Sequence, residues 1–275
     1  MKYFNDLWKS FDDLDLFVNN WQPDNYPKAI INFIHGLGSH SRRIEELAKK
    51  FVDAGYAVLT FDLRGHGMSE GRIGYVKSYD FIMKDIDNLL AHSDKIYPNI
   101  PKIIYGHSLG GNLVLNYVLT HKFDCKAAIV TSPWLSLVMQ SSMIKIIICK
   151  LLAKVYPSLV LKTGLNPKFL SHDFEKVEEY INDPLIHYRL NIHFYTEICD
   201  KGRWILNNTE KLSMPLLLMH GNADKITSHK ASAEFAENSK EQTTLKIWDN
   251  LFHELHNETN RDEVFEYMVN WIEEL

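Results

Sequence analysis

Apolar runs of four to six residues recur along the chain and alternate with stretches whose apolar residues fall at helical spacing. The runs at 29–34, 57–61, 102–105, 127–131, 216–219 and 244–248 read as strands. Helical patterns at 45–54, 79–96, 109–121, 229–238 and 262–274 come between or after them, the first closed by Gly55 and the second stopping before Pro98. Glycine and proline punctuate helices in this way because one tolerates left-handed backbone and the other cannot continue the hydrogen-bond ladder. Strand–helix alternation predicts an α/β fold, a mostly parallel central sheet flanked by helices on both faces. Ahead of the first buried strand, 15–21 is expected to supply antiparallel strands at one edge.

The alternation stops at Pro133 and resumes only after Ser213. Between them lie amphipathic helical stretches broken at Pro157, Pro167 and Pro184, and no clear strand. Connections in α/β units usually run about 2–6 residues. The gap is therefore expected to be an inserted helical cap, residues 133–213, on a core made of 1–132 and 214–275. Residues 136–156 are rich in Leu, Ile, Val and Met, more apolar surface than one helix face needs against a core. Two readings stay open: a lid that touches lipid and guides an acyl chain inward, or a helix buried between the sheet and other cap helices. The run 143–161 does not read as a membrane span, because Lys145, Lys150 and Lys154 interrupt it and Pro157 breaks it.

Composition narrows the possible partners. The 275 residues are 45% hydrophobic and 24% charged, with a formal net charge of −5, the profile of an ordinary globular protein. Without a basic excess, nucleic acid is not an expected partner, and strong overall attraction to anionic membranes is not indicated. Cys125, Cys149 and Cys199 are odd in number and widely spaced, so no disulfide framework or cysteine metal site is expected. The first residues lack the apolar stretch of a secretory signal. That makes the cytoplasm the expected compartment, with peripheral membrane contact through the cap.

The strongest chemical signal is Gly106-His107-Ser108-Leu109-Gly110-Gly111, a G-x-S-x-G pattern set between a strand and a helix. A serine on so sharp a turn needs small neighbours, and the turn holds its hydroxyl above the sheet edge at a helix N-terminus. Ser108 is thus the candidate nucleophile. A serine hydroxyl needs a base, and the base needs an orienting acid. In this arrangement the acid and then the histidine follow later in the chain, on loops after late strands. His220-Gly221-Asn222-Ala223-Asp224 and Asp249-Asn250-Leu251-Phe252-His253 occupy such loops, which nominates Asp224 and His253. Asp249, Asp200 and His256 remain as rivals. Oxyanion donors are expected from the N–H of Leu109 and, in the loop His35-Gly36-Leu37-Gly38, from the N–H of Leu37. A catalytic metal is not expected: the 13 histidines form no HExxH.

Taken together, these residues resemble the monoacylglycerol lipase and lysophospholipase branch of the α/β-hydrolases. The resemblance covers nearly the whole chain. It rests on 35–41 (HGLGSHS), 62–71 (DLRGHGMSEG), 106–111, Ser132-Pro133, 220–224 and 253–255. It implies a serine esterase acting on glycerol-linked single-chain lipids, without a cofactor, beneath a helical cap that forms an acyl tunnel. The 62–71 loop is read as structural bracing, so His66 is not expected to be catalytic. Substrate contacts are expected from His35, Gly36, His107, Trp134, Ile226 and His256. The family often carries an acidic residue where Ser39 stands, which leaves head-group preference open. A small-molecule carboxylesterase, a proline-iminopeptidase-like peptidase and a non-catalytic binder are the competing readings.

Overall fold

The six expected strands form the parallel part of an eight-stranded sheet. The computed structural model describes residues 1–139 and 143–275, with side chains throughout except at 143–147. In chain order the core elements begin with β1 (Lys2–Lys9), β2 (Asp15–Gln22), β3 (Ile30–Ile34), α1 (Glu45–Asp53), β4 (Ala57–Phe61) and α2 (Tyr79–Ile96). β5 (Lys102–His107), α3 (Leu109–Thr120) and β6 (Ala127–Thr131) follow. Between β6 and the next core strand lie α4 (Met143–Val155), β7 (Val160–Lys162), α5 (Phe174–Asn182), β8 (Arg189–Asn191) and α6 (Ile192–Leu206). The chain closes with β9 (Leu216–Gly221), α7 (His229–Glu237), β10 (Thr243–Trp248) and α8 (Arg261–Glu273).

The sheet order is β1-β2-β4-β3-β5-β6-β9-β10. Strands β3, β4, β5, β6 and β9 are buried along their whole length, because helices cover both faces. Val58, Ile103 and Ile129 pack with Phe51, Met268 and Trp271 of α1 and α8. Leu59, Ile104 and Val130 pack on the other face with Ile86, Leu113 and Phe235 of α2, α3 and α7. From β3 the chain moves first to β4 on one side and then to β5 on the other. That reversal opens a crevice at the carboxyl ends of β3 and β5, the usual ligand position in open α/β sheets.

Two expectations need correction. The edge is a two-strand ribbon, β1 and β2, paired antiparallel over eight residue pairs, and β1 had no counterpart in the sequence reading. The insertion also contains strands: β7 and β8 pair antiparallel as a separate two-stranded sheet. Within the same insertion, α6 packs into the core. Phe194, Ile198 and Ile205 are fully buried in the cluster that holds Leu113 and Phe235.

Candidate active site

The elbow is built from the close approach of β5 and α3. A Cβ on Gly106 would sit 2.3 Å from Gly110 O, and one on Gly110 would sit 2.0 Å from Ile34 O. Only glycine fits at either place. The turn between them puts Ser108 at φ 58°, ψ −114°, a backbone strain of the kind held at functional sites. Three hydrogen bonds fix it: Ser108 N–H donates to Thr131 O (3.0 Å), while Asn112 and Trp134 N–H donate to Ser108 O (3.1 and 3.0 Å).

Ser108 Oγ lies 2.9 Å from His253 Nε2, and His253 Nδ1 lies 2.7 Å from Asp224 Oδ2. The three side chains come from loops after β5, β9 and β10. Asp224 is heavily solvated by protein: Oδ1 accepts from the N–H groups of Ile226 (2.7 Å) and Thr227 (3.1 Å). Oδ2 accepts from Thr227 Oγ1 at 2.9 Å and lies 3.0 Å from His220 Nε2. Burial opposes ionisation here, but the charges and hydrogen bonds of His253 and His220 outweigh it, and the carboxyl is held far below the usual range. Ser132, itself at φ 45°, donates through Oγ to His253 O at 2.8 Å. It thereby ties the His253 loop to the end of β6.

Burial lowers the pKa of the imidazoles around His253. Burial lowers the His107 pKa well below its ordinary value, with repulsion from His253 and His256 adding to it. Burial brings His256 down to about 4 against the pull of Glu254. His220 is lowered by burial as well. His253 is the imidazole placed within hydrogen-bond reach of the Ser108 hydroxyl, the geometry a general base requires.

The segments that carry both expected oxyanion donors meet at this corner. Asn112 N–H makes the first bond of the α3 ladder, so Leu109 N–H stands ahead of it, free of an intrahelical partner. The β3 loop approaches from the other side: a Cβ on Gly36 would lie 3.2 Å from Ser108 Cβ. Leu37, Gly36, His107, Trp134 and Ile226 line a cavity of about 530 Å³ that also contains Ser108 and His253. Two expected substrate contacts do not line it. His35 is turned inward, where its Nε2 accepts from Leu63 N–H at 2.9 Å and its Nδ1 lies 2.8 Å from Gly36 O. His256 is buried behind His107, with ring centroids 5.0 Å apart.

The rivals sit elsewhere. Asp249 accepts from Asn222 Nδ2 (2.8 Å), and Asp200 pairs with Lys150 (2.9 Å) on the surface. His66 is buried at Arg64 O (3.1 Å), and Asp62 of the same loop accepts from Ser41 N–H (2.6 Å) and Met68 N–H (2.8 Å). The sequence reading missed Thr227, which touches both Asp224 and Ser132 O, and a buried pair, Arg43 with Glu254 at 2.9 Å. Thr227 and Arg43 lie in no motif, and Glu254, although within 253–255, carries no sign there of its partner. A threonine three residues past an acid carries no signal until the loop is folded.

A doubly wound sheet with a strained serine, a histidine and a buried aspartate at its switch point defines a serine hydrolase of the α/β-hydrolase fold. The family model described as "Serine aminopeptidase, S33" (Hydrolase_4) matches residues 25–260, and the chain belongs to that family. Among relatives, human monoglyceride lipase is 30% identical over 262 residues, covering 94% of this chain and 86% of that protein. An uncharacterized abhydrolase domain-containing protein of Dictyostelium discoideum is 36% identical over 96% of this chain. The matched part is 28% of that longer protein. Among solved structures, the monoacylglycerol lipase of Paleococcus ferrophilus aligns at TM-score 0.85 with 29% identity, over 93% of this chain and 97% of that one. No helix among the described residues is long and apolar enough to cross a membrane.

Proposed function

We propose that this chain hydrolyses the carboxylic ester of single-chain lipids, monoacylglycerols or lysophospholipids, through an acyl-enzyme on Ser108. The observation that carries this reading is the cavity. It is lined mostly by apolar side chains, among them Leu137, Leu161, Leu190, Ile192 and Tyr195, and Ser108 and His253 are part of its wall. Its volume of about 530 Å³ lies in the range of small-molecule sites. The monoglyceride lipases among its relatives support the same substrate class.

In this mechanism Ser108 Oγ attacks the ester carbonyl as His253 Nε2 takes its proton. Asp224 holds the imidazole by Nδ1 and stabilises the cation that forms. The carbonyl oxygen becomes an oxyanion held by the N–H groups of Leu37 and Leu109. Collapse breaks the ester bond, and His253 gives its proton to the departing glycerol oxygen. Water then attacks the acyl-enzyme by the same route in reverse, releasing the fatty acid.

A peptidase reading asks the cavity to receive a charged terminal amine. The carboxylate among its described lining residues, Glu254, is already paired with Arg43 at 2.9 Å, both side chains 7% exposed. That disfavours a cationic substrate. The exposed apolar side chains of the cap support peripheral contact with lipid, and the cytoplasm is the proposed compartment.

A series of glyceryl and p-nitrophenyl esters of rising chain length tests the substrate class, with kcat/KM expected to rise with acyl length. Acetate and butyrate esters far outperforming long chains would leave a small-molecule esterase. Fluorophosphonate labelling tests the nucleophile. Labelling that survives Ser108→Ala would overturn the assignment.

A further inference from the structure

The Asp224 carboxylate holds two imidazoles by one oxygen. Oδ1 is occupied by the N–H groups of Ile226 and Thr227. Oδ2 lies 2.7 Å from His253 Nδ1 and 3.0 Å from His220 Nε2. The contacts continue past His220, whose Nδ1 lies 2.8 Å from Ser232 Oγ. Ser232, His220, Asp224, His253 and Ser108 therefore form one line, with an imidazole and a hydroxyl on each side of the carboxylate. The mechanism above uses one side of it.

His220 ends β9 two residues after Leu218, so both point to the sheet face where Leu218 packs with Phe235 of α7. Ser232 comes from α7 itself, and both His220 and Ser232 are 0% exposed. A buried imidazole needs partners for its nitrogens, and any acceptor would satisfy it. This one is set on the oxygen that orients the base. A ring nitrogen facing a carboxylate carries the hydrogen, so His220 Nε2 donates and Nδ1 accepts from Ser232 Oγ. Burial lowers the His220 pKa, which favours one ring hydrogen over two. Other titratable or charged groups stand nearby. The His229 ring is 6.4 Å from that of His220, and the His107 ring is 4.9 Å from that of His253. His256 lies behind His107, and Glu254 is paired with Arg43. Among the described residues, none of these hydrogen-bonds to Asp224.

We propose that His220, with its tautomer set by Ser232, is a positioning residue for the reaction at Ser108: it holds Asp224 Oδ2 in line with His253 Nδ1 and sets how strongly that oxygen pulls on the imidazole hydrogen. A hydrogen bond to a carboxylate oxygen draws off part of its charge. Two imidazoles on one oxygen share it, so His253 meets a weaker acceptor than a lone carboxylate would present. When His253 takes the Ser108 proton, that oxygen stabilises the cation, and His220 keeps it from turning away. The inference rests on the roles given above to Ser108, Asp224 and His253. It holds for whichever acyl ester the site takes.

The test compares His220→Leu, His220→Gln and Ser232→Ala in the full chain, with a soluble p-nitrophenyl ester as substrate. Leucine removes the donor, while glutamine places an amide N–H near the position of Nε2. For His220→Leu, kcat is expected to fall about three- to tenfold with KM nearly constant, as alignment of the base is lost. The acidic limb of kcat/KM against pH is expected to move up by about half a unit to one unit, because an unshared carboxylate stabilises the imidazolium more strongly. His220→Gln should restore both, and Ser232→Ala should move the limb the same way by less. Scanning calorimetry separates these effects from lost stability. A His220→Leu protein with the parent's kcat and limb, whatever its Tm, would overturn the proposal and leave His220 a core residue. So would a limb that moves equally for leucine and glutamine. If the leucine variant does not fold, Ser232→Ala decides: an unmoved limb overturns the proposal. Fluorophosphonate labelling that survives Ser108→Ala would remove the nucleophile instead, so the two failures are told apart.

Discussion

The two halves of the insertion are held in opposite ways. The half from Leu170 to Asn191 is fastened to the catalytic rim. His187 N–H donates to Gly38 O at 3.0 Å, and His40 Nε2 lies 2.7 Å from Asp183 Oδ2. Glu254 N–H donates to Leu170 O at 2.7 Å, and Ser171 Oγ donates to Asn257 O at 2.8 Å. The oxyanion loop and the His253 loop are therefore both gripped by the same piece of cap. The half from Val138 to Leu161 has exposed apolar side chains instead. It bonds to the core through Val138 N–H to Ile226 O (3.0 Å), and to α6 of the same insertion through Ile192 N–H to Leu159 O (2.9 Å) and Lys150 to Asp200 (2.9 Å). One half braces the loops that carry the proposed oxyanion donor and base, and the other leaves apolar side chains exposed. A cap need not be uniformly mobile or uniformly rigid to serve both purposes.

The anchored half has a charged pin. The Arg43 guanidinium pairs with Glu254 and lies 4.7 Å from the centre of the Tyr180 ring of α5, so one side chain joins the oxyanion segment, the base loop and the cap. Arg43→Met removes one partner of a buried pair and leaves a carboxylate uncompensated. Such changes cost about 3–5 kcal/mol, or a Tm lower by roughly 6–20 °C in a chain of this size. Scanning calorimetry checks this. Arg43→Met with Glu254→Leu is expected to recover much of the loss, because no charge is then stranded. A double variant as unstable as the single one would break the idea of a charge pin.

The same region should make the protein acid-sensitive. Burial alone would raise the Glu254 carboxyl, but Arg43 and His256 outweigh it and bring its pKa down to about 2 from an ordinary 4.5. A depressed acid contributes stability that is complete above 4.5 and is lost as pH falls toward 2. His256, lowered by burial from 6.5 to about 4, works in the same direction: its stabilisation is complete above 6.5 and is lost as pH falls toward 4. Each shift corresponds to about 3 kcal/mol. Tm is expected to be flat above neutral pH on account of these groups and to fall from pH 6.5 downward. His256→Asn should flatten the first part of that fall. An unchanged slope in this variant would remove His256 from the account.

The latch comes next in size. Asp183→Asn keeps the shape and removes the charge that His40 faces, while Asp183→Ala removes the contact. If this latch sets the height of the Leu37 N–H, kcat should fall about tenfold for Ala, less for Asn, with KM nearly constant. That pattern marks an interaction made in the transition state. Affinity for a trifluoromethyl ketone, which forms an oxyanion on Ser108, should fall in step. A rise in KM at constant kcat would assign Asp183 to substrate entry instead.

Much of this molecule was readable before folding, and the exceptions share a cause. Strands such as Ala127–Thr131 and Leu216–Gly221 are buried on both sides, so each opens with an unbroken run of four apolar residues. β1 is exposed along nearly all of its length, and nothing in its pattern marks a strand; it exists because β2 offers an edge. β7 and β8 have three residues each, too few for a period. Ser108, Asp224 and His253 stand at strand ends that periodicity could locate, and they meet within hydrogen-bond distance. His35 stands in an equally suggestive loop, yet its ring turns away because Leu63 N–H needs an acceptor. Arg43 and Glu254 are 211 positions apart, and only the tertiary fold reveals that they are partners.

The smallest effect on stability should come from the half that looks most hydrophobic. Leu151 and Val155 of α4 are 58% and 66% exposed, so replacing both with serine removes little buried surface. Exposed substitutions of this kind usually change stability by about 0.5 kcal/mol or less, and serine in a helix interior adds a similar small cost. In a buried helix the same pair of changes would cost several times more, since each would strand a hydroxyl in an apolar core. The double variant therefore separates the two readings of this segment that periodicity left open. A Tm within about 2 °C of the parent, together with weaker activity on vesicle-borne monoacylglycerol and normal activity on a soluble ester, is the result expected of a lipid-facing surface. A large loss of Tm would mean that these side chains are covered in solution, and the contrast between the two halves of the cap would disappear with them.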